Sequence, residues 1–126
     1  MAALPPWPEP AEFAGRVALY RSISTHAPDA RSETLRWDRL ATRRDETDPT
    51  AWSVLAEAQF YFGEPQAARR TFTESLRWDP WSVRALNGLA NAALANGDRA
   101  SAKSALERSL AADPAQKKAR SQLRGL

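Results

Sequence analysis

Chemistry in a protein needs convergent groups, and this sequence offers few. Its one histidine is His26 and it has no cysteine. A protein zinc site draws about four ligands from Cys, His and carboxylates at set spacings. A lone His in "STHAPDA", with no H-x-x-x-H or H-E-x-x-H pattern, reads as a turn residue at the surface. Ser/His/Asp catalysis would need that same His, and no Ser sits in a G-x-S-x-G elbow. Asp45, Glu46 and Asp48 fall at a predicted helix end, where capping and solvation are the ordinary roles of carboxylates. Five scattered glycines build no phosphate-cradling loop. The expectation is therefore a non-enzymatic protein with no cofactor and no metal.

Two other residues carry a chemical suggestion. Asn87 and Asn91 stand four apart in "RALNGLANAAL", one turn of a helix from each other. Asn is a poor helix former, because its amide competes for backbone hydrogen bonds. One reading gives the pair a role: an amide both donates and accepts, so it can meet the main chain of an extended peptide. The other leaves both facing solvent.

The elements that would position these residues announce themselves by a repeat. "LRWD" occurs at residues 35–38 and again at 76–79, but this 41-residue shift aligns almost nothing else. A shift of 34 carries Leu55 to Leu89, Ala56 to Ala90, Gly63 to Gly97 and Ala68 to Ala102. It also carries Ser75 to Ser109, Leu76 to Leu110, and Asp79-Pro80 to Asp113-Pro114. A fixed period of this size marks stacked helical units. The two "LRWD" copies are not equivalent: Trp37 lies inside a predicted helix and Trp78 ends one.

Each unit reads as two short antiparallel helices. Asp48-Pro49 opens the first with a capping carboxylate and a proline at a first-turn position. Gly63 stops it, Glu64-Pro65 restarts the chain, and Asp79-Pro80 ends the pair. Gly97-Asp98 and Asp113-Pro114 repeat the punctuation. Ala56, Ala68, Ala90 and Ala102 fall where helices approach closely, and Trp52, Phe72, Leu86 and Leu106 fill the remaining space.

This pattern resembles the tetratricopeptide repeat. The residues that carry it are Trp52-x2-Leu55-Ala56, Ala68-x3-Phe72 and Pro80 in one unit. In the next they are Leu86-x2-Leu89-Ala90, Ala102-x3-Leu106 and Pro114. Ala stands at 56 and 90 where the family usually has Gly, and Gln59 and Ala93 replace its usual aromatic. The resemblance places two repeats at 49–82 and 83–116. It implies an all-α, right-handed superhelical solenoid of helix hairpins, of about seven helices.

The flanks complete the expected organisation. Residues 1–9 are a Pro-rich lead. Residues 10–47 hold a degenerate or unrelated hairpin outside the 34-residue template, with Phe13, Val17 and Tyr20 on one helix and Thr34, Trp37 and Ala41 on the next. Residues 48–114 are the repeats. Residues 115–126 form an amphipathic cap with Ala115, Ala119 and Leu123 on one side, and the whole chain makes a single compact domain.

Composition narrows the partners. Of 18 Lys and Arg, four lie in residues 115–126, which contain no acid; the 14 before them are balanced by 15 Asp and Glu. The net charge of +3 thus resides in the last twelve residues. The repeat body shows no basic stripe, so nucleic acid is not an expected partner. No apolar run reaches the roughly 18 residues a membrane span needs. "MAALPPWPEPAEF" lacks the basic start and apolar stretch of a secretory signal. The expected location is cytoplasmic, or a soluble domain excised from a larger envelope protein.

The resemblance also implies a working surface, the concave groove lined by the first helix of each unit. Carried over, its residues are Ser53, Glu57, Phe60 and Tyr61, then Arg84, Asn87 and Asn91, then Lys118 from the cap, with Thr50, Leu94, Ala95 and Ser121 beside them. Some family members clamp a partner's terminal carboxylate with Lys and Asn. Here Ser53 and Glu57 occupy the places of the first Lys and Asn, and Glu57 would repel a carboxylate. The expected function is an adaptor that holds a peptide or protein segment in this groove. The alternative is an oligomerisation or scaffold module, such as the soluble tail of a larger membrane or envelope protein. Trp7, Trp78 and Trp81, all near prolines, either seal gaps between helices or meet a partner or a second copy.

Overall fold

The computed structural model describes residues 30–126. The expected lead, the helix around Phe13–Tyr20, Trp7 and His26 lie outside the described residues. Six α-helices follow in order: α1 Ala30–Arg44, α2 Pro49–Tyr61, α3 Pro65–Trp78, α4 Val83–Ala95, α5 Arg99–Ala112 and α6 Lys117–Arg124. There is no strand among the described residues.

Local chemistry fixes the boundaries. The Asp48 carboxylate accepts from the Thr50 N–H at 2.9 Å, with Pro49 in the first turn. Ser82 Oγ and Asp98 Oδ1 do the same for α4 and α5, accepting from Ala85 N–H at 3.3 Å and Ser101 N–H at 3.0 Å. Each such contact satisfies a donor that the first helical turn leaves open. Gly63 and Gly97 turn the chain between the helices of each hairpin at φ +81° and +77°. This left-handed backbone is open to glycine at little cost.

Consecutive helices pack in sequence, α1 on α2, α2 on α3 and onward to α6, while α2 also touches α4. The small residues allow it: Ala56, Ala68, Ala90 and Ala102 are fully buried. Phe72, Leu86 and Leu106 fill the core beside them. One further close contact sits between the units. Gly88 of α4 lies so near the Phe72 ring that an added Cβ would stand 2.2 Å from Cζ. The ring occupies the volume that any other residue would claim.

α1 keeps the repeat register, although its sequence hides this. Moved on by 34 residues, its buried Thr34, Asp38 and Ala41 fall on Ala68, Phe72 and Ser75 of α3. The turns after both helices match as well. Asp45 accepts from the Thr47 N–H as Asp79 does from Trp81 and Asp113 from Ala115, at 3.0, 3.3 and 3.1 Å. So α1 stands where the second helix of a preceding unit belongs. The departure from the template lies in its polar buried side chains, not in its geometry.

Candidate functional site

The first helices of the two units, α2 and α4, lie side by side with α6 beyond them. Between α2 and α4 opens a pocket of about 290 Å³. Its floor is the Phe72 ring and the bare Gly88 backbone, and its apolar wall is Phe60. Glu57, Arg84, Asn87 and Asn91 form the rim. Five of the eight residues expected from sequence therefore converge: Glu57, Phe60, Arg84, Asn87 and Asn91.

The rim is already paired. Arg84 Nε donates to Glu57 Oε1 at 2.5 Å and Nη2 to Oε2 at 3.2 Å, a two-point bridge from one unit to the next. Both side chains are about two-fifths exposed. Asn87 Oδ1 accepts from Ser109 Oγ at 2.6 Å, and its Nδ2 donates to Gln116 Oε1 at 2.7 Å. Asn91 Oδ1 accepts from Gln122 Nε2 at 3.2 Å. Neither asparagine simply faces solvent. Both tie α4 to the carboxyl-terminal segment.

The remaining three expected residues sit apart. Ser53 does not reach the groove: it is 1% exposed and its Oγ lies 2.8 Å from Ser75 Oγ, inside the hairpin. A serine is short enough to be drawn into that gap. Tyr61 is exposed at the end of α2, edge-on to Phe62 with ring centroids 5.0 Å apart. Lys118 is exposed on α6. It lies 34 residues beyond Arg84, the matching position on the next helix of the groove.

Sequence reasoning missed Gln116. Its Nε2 donates to the Ser109 and Asp113 carbonyls at 3.0 and 2.9 Å, clipping the start of α6 onto the end of α5. It also missed Gly88, which has no turn signal around it. The signal lay in its position, directly over the aromatic of the preceding helix.

Two features lie away from the groove. Trp78, the last residue of α3, and Trp81, in the α3–α4 connection, are 42% and 58% exposed. They do not seal gaps between helices. Arg77 and Arg108 lie over their rings at 5.4 and 5.8 Å, and Arg108 also donates to the Pro80 carbonyl at 2.9 Å. At the hairpin turns, Glu64 receives Arg31 of α1, and Asp98 receives Arg69 of α3 at 2.8 Å. The Ser101 hydroxyl and N–H, with the Arg69 guanidinium, lower the Asp98 pKa from 3.8 to about 2. Among the described residues no group of three His, Cys, Asp or Glu could hold a metal ion, and no helix is long and apolar enough to cross a membrane.

The sequence model of the tetratricopeptide repeat matches residues 59–125. No curated protein matches the chain in sequence. Among solved structures, the first TPR domain of human RPAP3 is 18% identical with a TM-score of 0.74, each chain covered to 90%. The first TPR of Spaghetti (RPAP3), bound to the HSP90 peptide SRMEEVD, is likewise 18% identical with a TM-score of 0.74, each chain covered to 90%. The type III secretion translocator chaperone SycD of Yersinia enterocolitica, in an alternative dimer, is 17% identical with a TM-score of 0.76. That match covers 94% of this chain and 92% of SycD. MamA is 17% identical with a TM-score of 0.76, over 90% of this chain and 64% of its own. At these identities the likeness is one of fold.

Proposed function

Since this chain belongs to the tetratricopeptide repeat family, we propose that it is a non-enzymatic adaptor holding a peptide or protein segment against the groove of α2, α4 and α6. The observation that carries this reading is the convergence of Glu57, Phe60, Arg84, Asn87 and Asn91 around one pocket with an apolar floor. An apolar floor with a few placed polar groups is the general form of a binding site. The RPAP3 domain with its HSP90 peptide gives a precedent on the same fold, and no more than that. In this reading α1 and residues 115–126 close the two ends of the described stack, with the repeats of 48–114 between them.

The test is a selection of twelve-residue peptides from a displayed random library on the wild-type protein. Phe60→Asp and Asn91→Trp alter the groove; Lys103→Trp alters the exposed face of α5 and serves as control. Selected peptides should lose binding to the first two variants and keep it on the third. Equal binding to all three would overturn the groove reading.

Trp78 and Trp81 favour a second reading, an oligomerisation or scaffold module, because exposed tryptophans are frequent anchors of protein contacts. Sedimentation of wild type and Trp81→Glu separates the two. A concentration-dependent dimer lost in the variant supports the scaffold; a monomer throughout removes it.

A further inference from the structure

The groove has a chemistry more specific than that of a general peptide site, and the inference drawn from it rests on the adaptor reading. Ligand pockets for whole small molecules run from about 300 to 1,000 Å³. The space over Phe72 and Gly88, at about 290 Å³, sits at the lower edge of that range. It suits one large apolar side chain. Around it, the cation of Arg84 is taken by Glu57 in a two-point bridge, and Asn87 is committed to Ser109 and Gln116. The cation at the pocket rim is therefore not free to hold a terminal carboxylate.

The open positive charge is one helix further on. Residues 115–126 carry Lys117, Lys118, Arg120 and Arg124 and no acid, and Lys118 occupies on α6 the repeat position that Arg84 occupies on α4. It has no Glu57 opposite it. We infer that the groove takes an internal segment of a partner, with one aliphatic or aromatic side chain in the Phe60–Phe72–Gly88 pocket and an acidic side chain over Lys118.

Spacing makes this a defined pattern. Packed helices stand about 8–10 Å apart, so a pocket between α2 and α4 lies about 12–15 Å from α6. An extended chain rises about 3.3 Å per residue. The acid therefore lies about four residues from the apolar anchor. The pocket supplies affinity through burial, and the α6 cations supply register and direction.

Peptides selected from the displayed library provide the probe, synthesised with acetylated and amidated ends. Alanine at the anchor should weaken binding at least tenfold, the value of one buried apolar side chain. Lys117→Glu/Lys118→Glu should weaken peptides carrying the acid about tenfold and leave their Asp→Asn, Glu→Gln counterparts unchanged. A free terminal carboxylate in place of the amide should change affinity less than twofold. The proposal is overturned by any of three results: peptides with no shared apolar position, indifference to the α6 charge reversal, or tenfold loss on amidation. Each of these is compatible with loss of binding to Phe60→Asp, so the pocket-and-acid pattern can fail while the groove reading stands. Retention of binding by Phe60→Asp and Asn91→Trp fails the groove reading itself. Circular dichroism of each variant confirms that it stays folded.

Discussion

Ser53 Oγ and Ser75 Oγ meet at 2.8 Å between the two helices of the first hairpin, and 34 residues later Asn87 Oδ1 and Ser109 Oγ meet at 2.6 Å in the second. The same lock is built with a short side chain in one unit and a longer one in the next. The length difference decides which side chain reaches the pocket. Serine spends its whole reach inside the hairpin, whereas Asn87 also borders the pocket and bonds Gln116.

Removing the lock should cost stability. Ser75 also donates to the half-buried Pro49 carbonyl at 2.7 Å, so Ser75→Ala removes two hydrogen bonds and takes this partner from the buried Ser53 hydroxyl. The expected loss is about 1–3 kcal/mol by urea unfolding. Ser53→Ala/Ser75→Ala together should lose less than the sum of the single changes, because the pair shares one bond. Strict additivity would show that the contact does not hold the hairpin.

Gly88→Ala forces a methyl into the Phe72 ring, at 2.2 Å from Cζ. Overpacking of this kind costs about 1–3 kcal/mol, and a contact as close as 2.2 Å belongs at the upper end, above the gain in helix propensity from Gly to Ala of about 1 kcal/mol. Thermal unfolding should therefore show Gly88→Ala less stable than wild type. Phe72→Leu in the same chain should recover part of the loss. A neutral or stabilised Gly88→Ala contradicts the packing described.

The repeat and its punctuation were legible because caps and turns are local: Asp48-Pro49, Gly63, Glu64-Pro65 and Gly97-Asp98 act within a few residues of themselves. The close approaches at Ala56, Ala68, Ala90 and Ala102 were legible for the same reason, since size at a fixed period is a sequence property. What was not legible depends on distance in the chain. The Glu57–Arg84 bridge joins residues 27 apart, and Asn87–Gln116 joins residues 29 apart. Ser53 occupies a position that lines the groove in the family, and only the neighbouring Ser75 explains its burial. α1 escaped notice as a repeat helix because Thr34 and Asp38 fill the places of Ala68 and Phe72.

The Glu57–Arg84 bridge should matter little to stability and much to selectivity. Both side chains are substantially exposed, and pairs of that kind contribute about 0–1 kcal/mol. Glu57→Ala should unfold within about that margin of wild type. It also frees the Arg84 guanidinium, so a peptide ending in a free carboxylate should gain affinity for the variant over wild type in a titration. No gain would mean that Arg84 is not the group held in check.

Acid should loosen the second hairpin turn through Asp98. Its pKa is about 2 in the fold against an ordinary 3.8, because Ser101 and Arg69 favour the carboxylate. A depressed folded pKa contributes stability that is present above pH 3.8 and is lost as pH falls toward 2. Asp98→Asn should thus destabilise the protein at pH 7 and flatten its stability profile between pH 4 and 2. An unchanged slope in that interval would remove Asp98 from the acid response.

The most direct test of the adaptor reading is a backbone amide chemical-shift map of the protein, at 13.9 kDa well suited to the method, titrated with a peptide selected from the displayed library. Saturable shifts confined to Glu57, Phe60, Arg84, Gly88, Asn91 and Lys118 are the result this account predicts. Shifts gathered instead on Thr73, Ser104 and Arg108 of α3 and α5, or around Trp78 and Trp81, would contradict it and move the working surface to the other side of the solenoid.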